Sequence, residues 1–96
     1  MIRSFADEDT EHIWQEQYIA AIDRALQRAA LRKLELLHAA GSVEDLRIPP
    51  GNRLEQLKGD RRGQHSIRVN DQWRLCFTWR DGGADDVELV DYHRGA

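Results

Sequence analysis

The chain has one cysteine, two prolines and no apolar run approaching the roughly 18 residues that a membrane-spanning helix requires. A lone Cys76 cannot close an intramolecular disulfide. The histidines His12, His38, His65 and His93 lack close paired spacing and no Cys-x-x-Cys accompanies them, so neither a metal nor another cofactor is expected. A glycine-rich phosphate loop is also missing, because Gly59 and Gly63 are spaced for turns. With no charged and cleavable leader ahead of Arg3 and Ser4, a cytoplasmic protein without a membrane partner is expected.

What is present supports one folded unit. The mean hydropathy is low at -0.70, but the 41% apolar residues fall into periodic clusters, and 96 residues suit a single domain spanning 1–96. The formal net charge of -3 hides a segregation of signs. Between Arg47 and Arg68 six cations (Arg47, Arg53, Lys58, Arg61, Arg62, Arg68) face two anions (Glu55, Asp60), a local surplus of four. Such a segment suits a polyanion, and equally a solvated loop.

Ile2 to Phe5 has the character of a short edge strand. The acidic run Asp7 to Glu11 suits the positive end of a helix dipole, which predicts a first helix carrying Ile13 and Trp14 inward and ending near Tyr18 to Ala20. From Ala20 to Ala40 the residues Ile22, Ala25, Leu26, Ala29, Leu34 and Leu37 form one stripe of an amphipathic helix. Arg24, Arg28 and Arg32, with Lys33 beside them, form a basic ridge on another face. Gly41 is expected to end this helix with a positive φ, and Ser42 to Asp45 has capping-box spacing. Pro49-Pro50-Gly51-Asn52 predicts an irregular loop, and Arg53 to Leu57 a strand.

Beyond the Lys58–Gly63 connection, Ile67 and Val69 flank Arg68, and Trp73, Leu75, Phe77 and Trp79 alternate with Arg74, Cys76, Thr78 and Arg80. That period of two marks half-buried strands. After Asp81-Gly82-Gly83 a last strand carries Val87 and Leu89 and ends at Asp91-Tyr92-His93. The expected fold class is therefore α+β: a short N-terminal strand, a helical pair, then an antiparallel β-meander. A helix-turn-helix would leave these strands unexplained.

Metal-free RNA cleavage needs a base for the 2′-OH, cations for the growing phosphorane charge, and an acid for the leaving oxygen. Lys58 and Arg74 supply cations near strand ends, and Asp91, Tyr92 and His93 close the last strand. Each also has a plainer role: Arg74 in an ion pair or stacked on Trp73 or Trp79, Tyr92 capping the sheet edge, His93 in a tail. Cys76 is expected to serve packing.

The stretch PPGNRLEQLKGDRRGQHSIRVNDQWRLCF from Pro49 to Phe77, with VELVDYH from Val87 to His93, resembles the HigB-type plasmid-maintenance killer toxins of the RelE/ParE superfamily. LKGDR, NDQWR and DYH in this order and spacing carry the likeness, which extends over nearly the whole chain. The resemblance implies a toxin that enters the ribosomal A site and cuts translated mRNA. It also implies silencing by a HigA-like helix-turn-helix antitoxin, with operator DNA bound only through the antitoxin complex. It puts phosphate contacts at Lys58 and Arg74 and the catalytic cluster at Asp91, Tyr92 and His93. Where some members carry a histidine, this chain has Glu55; a glutamate can still serve as the base, but its negative charge costs phosphate binding. RNA or ribosome contacts are expected from Arg24, Arg28, Arg32, Arg53, Arg61, Arg62 and Arg68. A ParE-like toxin that inhibits gyrase by binding it is the rival from a different functional class, since one fold serves both.

Overall fold

In the computed structural model, which describes residues 1–92, two helices lie on one face of a four-stranded antiparallel sheet. The elements are α1 (Glu8–Trp14), α2 (Arg24–Ala39), β1 (Glu55–Gln56), β2 (His65–Arg68), β3 (Trp73–Arg80) and β4 (Gly83–Asp91), and the sheet order is β1-β2-β3-β4. The α+β meander expected from the sequence is thus the observed architecture.

Local chemistry explains where the helices begin. Asp7 caps α1 by accepting from the Thr10 backbone at 3.2 Å and its hydroxyl at 2.6 Å. The same Thr10 hydroxyl accepts from the Leu89 amide at 2.9 Å, which ties the helix start to β4. Asp23 caps α2 by accepting from Leu26 N at 3.0 Å, so that helix begins at Arg24 rather than at Ala20. Residues just before it are held by Gln27, whose side-chain amide donates to the Ile19 and Ile22 carbonyls at 2.9 and 2.7 Å.

Several boundaries differ from the sequence expectation. The first helix stops at Trp14, not near Tyr18, because Glu16 turns left-handed (φ 61) while its amide bonds back to Ile13 O. The second ends without a left-handed glycine: Ala40 is already extended, and the Asp45 carboxylate accepts from Gly41 N at 2.9 Å and Ser42 N at 3.2 Å. The expected N-terminal strand is reduced to two parallel bridges, Ile2 to Ala84 and Phe5 to Val87. Their close approach explains Gly83, where a Cβ would lie 2.9 Å from Arg3 Nε and 3.1 Å from Met1 O. β1 shrinks to Glu55–Gln56 because Arg53 takes a left-handed turn.

The proline segment is more ordered than expected. Pro50–Asn52 forms a short 3-10 turn around Asn52, which is fully buried. Its amide donates to Leu46 O at 3.1 Å and Ile48 O at 3.3 Å, and its oxygen accepts from Lys33 Nζ at 2.5 Å. Lys33 therefore pins this turn instead of extending the basic ridge. Burial first, then the charges of Arg68 and Arg32, hold its pKa below the ordinary lysine value.

The core lies between α2 and the sheet, where Leu26, Ala30, Leu34 and Leu37 meet Ile67, Leu75, Phe77 and Val87. A two-residue turn at Asp81 and Gly82, both at positive φ, joins β3 to β4. A bulge follows: Cys76 pairs with Glu88 but Thr78 with Asp85, and Asp86 takes a φ of 53.

Candidate active site

Alternation along the strands sends a second set of side chains to the face that the helices leave uncovered. Across it runs a row in direct register, Glu55 on β1, Ser66 on β2, Cys76 on β3 and Glu88 on β4, flanked by a row of Arg68, Arg74 and Val90. Tyr92 follows Val90 by one further alternation.

Arg74 is the organising cation. Its side chain is only 11% exposed and one edge of its fork is engaged: Nε donates to Ser66 Oγ at 2.7 Å, one terminal nitrogen donates to the Arg53 carbonyl, and the same nitrogen lies 3.3 Å from a Glu55 oxygen. Ser66, wholly buried, acts as its seat. Glu55 remains more than half exposed. This carboxylate thus sits on the edge of a guanidinium that could otherwise take a phosphate oxygen.

Tyr92 closes the other side. Its amide bonds to Gln72 O, and its hydroxyl lies 3.7 Å from Cys76 Sγ. Burial first, then the hydrogen bond to Cys76, raises the phenol's pKa, while Arg61 and Arg74 pull it back down. Burial likewise pushes the Cys76 thiol up, which suits a packed cysteine better than a nucleophile.

The remaining expected residues distribute unevenly. Lys58 is exposed at the start of the short turn after β1, with no hydrogen bond or ion pair for its ammonium among the described residues. Asp91 lies in register with Trp73, on the other alternation, and its carboxylate accepts from the Gln72 amide at 3.2 Å. His93 lies outside the described residues. Arg61 bonds to Glu88 at 3.2 Å and Gln64 at 3.0 Å, whereas Arg62 is exposed. Arg68 pairs with Asp71, and Arg53 contributes its carbonyl to Arg74.

Arg24, Arg28 and Arg32 are exposed on α2, on the far side of the core from this row. The Arg24 guanidinium sits 4.7 Å over the Tyr18 ring, and both residues line, with Arg28 and Leu31, a shallow cleft of about 220 Å³. The ridge and the cationic site are therefore separate surfaces. His38 is exposed on α2, where its Nδ1 accepts from Ile2 N at 3.1 Å and its ring meets Trp14 at 5.1 Å.

Sequence reasoning passed over Ser66, Gln64 and Glu88. Ser66 stands two residues before Arg68 and Glu88 four before Tyr92, so the period of two already put each on the polar face. Which residues face one another across strands depends on turn lengths and the bulge. Among the described residues no cluster of His, Cys, Asp or Glu could hold a metal ion. No described helix is long and apolar enough to cross a membrane.

A family model described as the RelE-like toxin HigB of type II toxin-antitoxin systems matches residues 3–93. The chain belongs to that family. It is 46% identical over 93 residues to Toxin HigB-1 of Vibrio cholerae, covering 97% of this chain and 90% of that protein. A shorter match, 44% identical over 41 residues, covers 43% of the chain and 45% of Endoribonuclease HigB of Proteus vulgaris. Among solved structures, the Staphylococcus aureus YoeB-YefM complex contains a chain that superposes with a TM-score of 0.61 at 21% identity. The alignment covers 97% of this chain and 98% of that one, a likeness of fold. The HigB-like chain is thus a toxin of a type II toxin-antitoxin system.

Proposed function

We propose that this HigB-like toxin is an endoribonuclease that cuts mRNA on the ribosome, with its site on the helix-free face of the sheet. The observation that carries this reading is that Arg74, seated on buried Ser66, shares its face of the sheet with the Tyr92 phenol, which lies against Cys76 two residues along β3. Arg74 and Lys58 would hold the scissile phosphate and the charge that develops on it, Tyr92 and His93 would exchange protons, Glu55 would act at the rim, and Asp91, bonded to the Gln72 whose carbonyl takes the Tyr92 amide, would support the phenol from the other alternation. The endoribonuclease name of the Proteus vulgaris relative, and its match to part of this chain, support the same chemistry.

The partner is proposed to be a HigA-like antitoxin, in line with a structural neighbour solved as a heterotetrameric YoeB-YefM toxin-antitoxin complex from Staphylococcus aureus. Operator DNA would be met only through that complex, and the cytoplasm, where ribosomes translate, is the place of action.

Single-turnover cleavage of mRNA on programmed ribosomes tests the proposal. Arg74→Ala removes the cation and Tyr92→Phe deletes only a hydroxyl. Each should slow cleavage on the order of 100-fold, roughly 2.7 kcal/mol of transition-state stabilisation, without unfolding the domain by circular dichroism. If both variants fold and cut at the wild-type rate, the assignment is wrong. Growth arrest with intact mRNA, together with inhibition in a supercoiling assay, would put gyrase in the place of RNA.

A further inference from the structure

Arg61 and Arg62 are neighbours in a basic loop, but only one of them is built into the site. The Arg61 side chain is one-third exposed and donates to both Glu88 and Gln64. Glu88 is the direct register partner of Cys76, and the Cys76 sulfur touches the Tyr92 hydroxyl at 3.7 Å. Side-chain hydrogen bonds at each end and the pairing of β4 with β3 between them therefore link the Arg61 guanidinium to the phenol. Arg62 and Lys58, from the same loop, are exposed.

Resting on the proposed nuclease reading, we infer that Arg61 is a positioning residue for Tyr92: anchored by Glu88 and Gln64, its fixed positive charge stabilises the phenolate side of the Tyr92 proton exchange. Burial opposes the Arg61 charge, yet the hydrogen bond to Glu88 and the groups at Cys76 and Tyr92 outweigh it and hold the guanidinium above its ordinary value. For Tyr92 the balance runs the other way. Burial and the Cys76 contact make the proton harder to remove, and the positive charge of Arg61, more than that of Arg74, opposes them. A phenol that must give or take a proton near neutrality works better the closer its pKa lies to the working pH. Bringing it down helps in either role, so the inference does not depend on whether Tyr92 acts as acid or base.

The experiment is a titration of the tyrosine ring-carbon NMR signals in the full-length chain, read without RNA. The two tyrosines provide an internal control, because Tyr18 is exposed beneath Arg24 on the helical side. Arg61→Gln should move the Tyr92 midpoint to higher pH and leave Tyr18 in place, while Arg61→Lys, which keeps the charge, should restore most of the wild-type value. On programmed ribosomes Arg61→Gln should cut roughly 10-fold more slowly at neutral pH, and the limb of its pH-rate profile that Tyr92 governs should move up with the NMR midpoint. An unmoved Tyr92 midpoint in folded Arg61→Gln overturns the inference, as does a loss confined to RNA affinity, which would make Arg61 a phosphate contact alone. A wild type that leaves mRNA intact overturns the nuclease reading, and the NMR titration still decides the inference.

Discussion

Strand β3 feeds two chemically opposite faces of the sheet, and the contrast between them is instructive. Leu75 and Phe77 enter the core beneath α2 with no exposed surface. Arg74 and Cys76, one residue away in each case, enter the polar row, where Ser66 and the Arg53 carbonyl hold Arg74, Asp71 pairs with Arg68 and Arg61 pairs with Glu88. The first face has no directional requirement beyond shape, so its energy comes from removing apolar surface from water. The second spends little surface and much geometry: a guanidinium is useful to a phosphate only if it is already held, and Ser66, Arg53 and the strands hold it. Stability and chemistry are thereby assigned to alternate residues of one strand.

The sharpest way to break that division is to cut the core behind the site. Phe77 is fully buried, with the Trp79 ring edge-on at 6.5 Å. Phe77→Ala should cost about 3–5 kcal/mol of folding free energy, because the lost transfer energy is joined by a cavity that close-packed neighbours fill only partly. Urea denaturation measures it. Were the variant to keep wild-type stability, the helix-covered face would not be the principal source of the fold's energy.

Much of this two-faced arrangement was visible in the residues. The alternation from Trp73 to Arg80 put Arg74 opposite the core, and the Ala20–Ala40 stripe supplied Leu26, Leu34 and Leu37 to it. Hidden from the sequence were features set by single backbone torsions or by register. Glu16, Arg53 and Asp86 adopt positive φ without being glycine, and each moves an element boundary or a pairing. A glutamate at such a point carries almost no local signal, since its conformation is imposed by the tertiary contacts around it. Lys33 was likewise grouped with its arginine neighbours because helical spacing says which side a residue is on, and not that a buried Asn52 waits for it.

A smaller and more selective effect separates the polar face from the core. Glu55 shares Arg74 with Ser66 and the Arg53 carbonyl, yet it is the exposed member of the set. Glu55→Gln should leave Arg74 seated while removing the carboxylate that competes with phosphate. RNA should bind about threefold more tightly, a gain kept modest by solvent screening at an exposed pair. Salt-dependent RNA-binding measurements read the change. If Glu55→Gln instead weakens binding, the pair orients Arg74 for RNA and does not compete with it.

The smallest expected effect lies on the core side of β2. His65 sits in register with Phe77, its ring stacked on the phenyl at 6.2 Å. Its Nδ1 edge is closed off and has no hydrogen-bond partner, although the ring as a whole is only half-buried. Burial first, then Arg47, holds the imidazole pKa below its ordinary value, with Glu44 opposing. The folded protein therefore binds this proton less readily than the unfolded chain, which takes it up near pH 6.5. The stability that depends on neutral His65 is fully present above that pH and is lost as the pH falls toward the lower folded value. Thermal unfolding from pH 7.5 down to 5.5 should show the wild-type midpoint falling by a few degrees. In His65→Phe that component should vanish, because the phenyl keeps the stack on Phe77 and removes both the titrating group and the unpaired nitrogen. An equally steep decline in His65→Phe would trace the pH dependence to other groups and make His65 a neutral packing residue across the whole range.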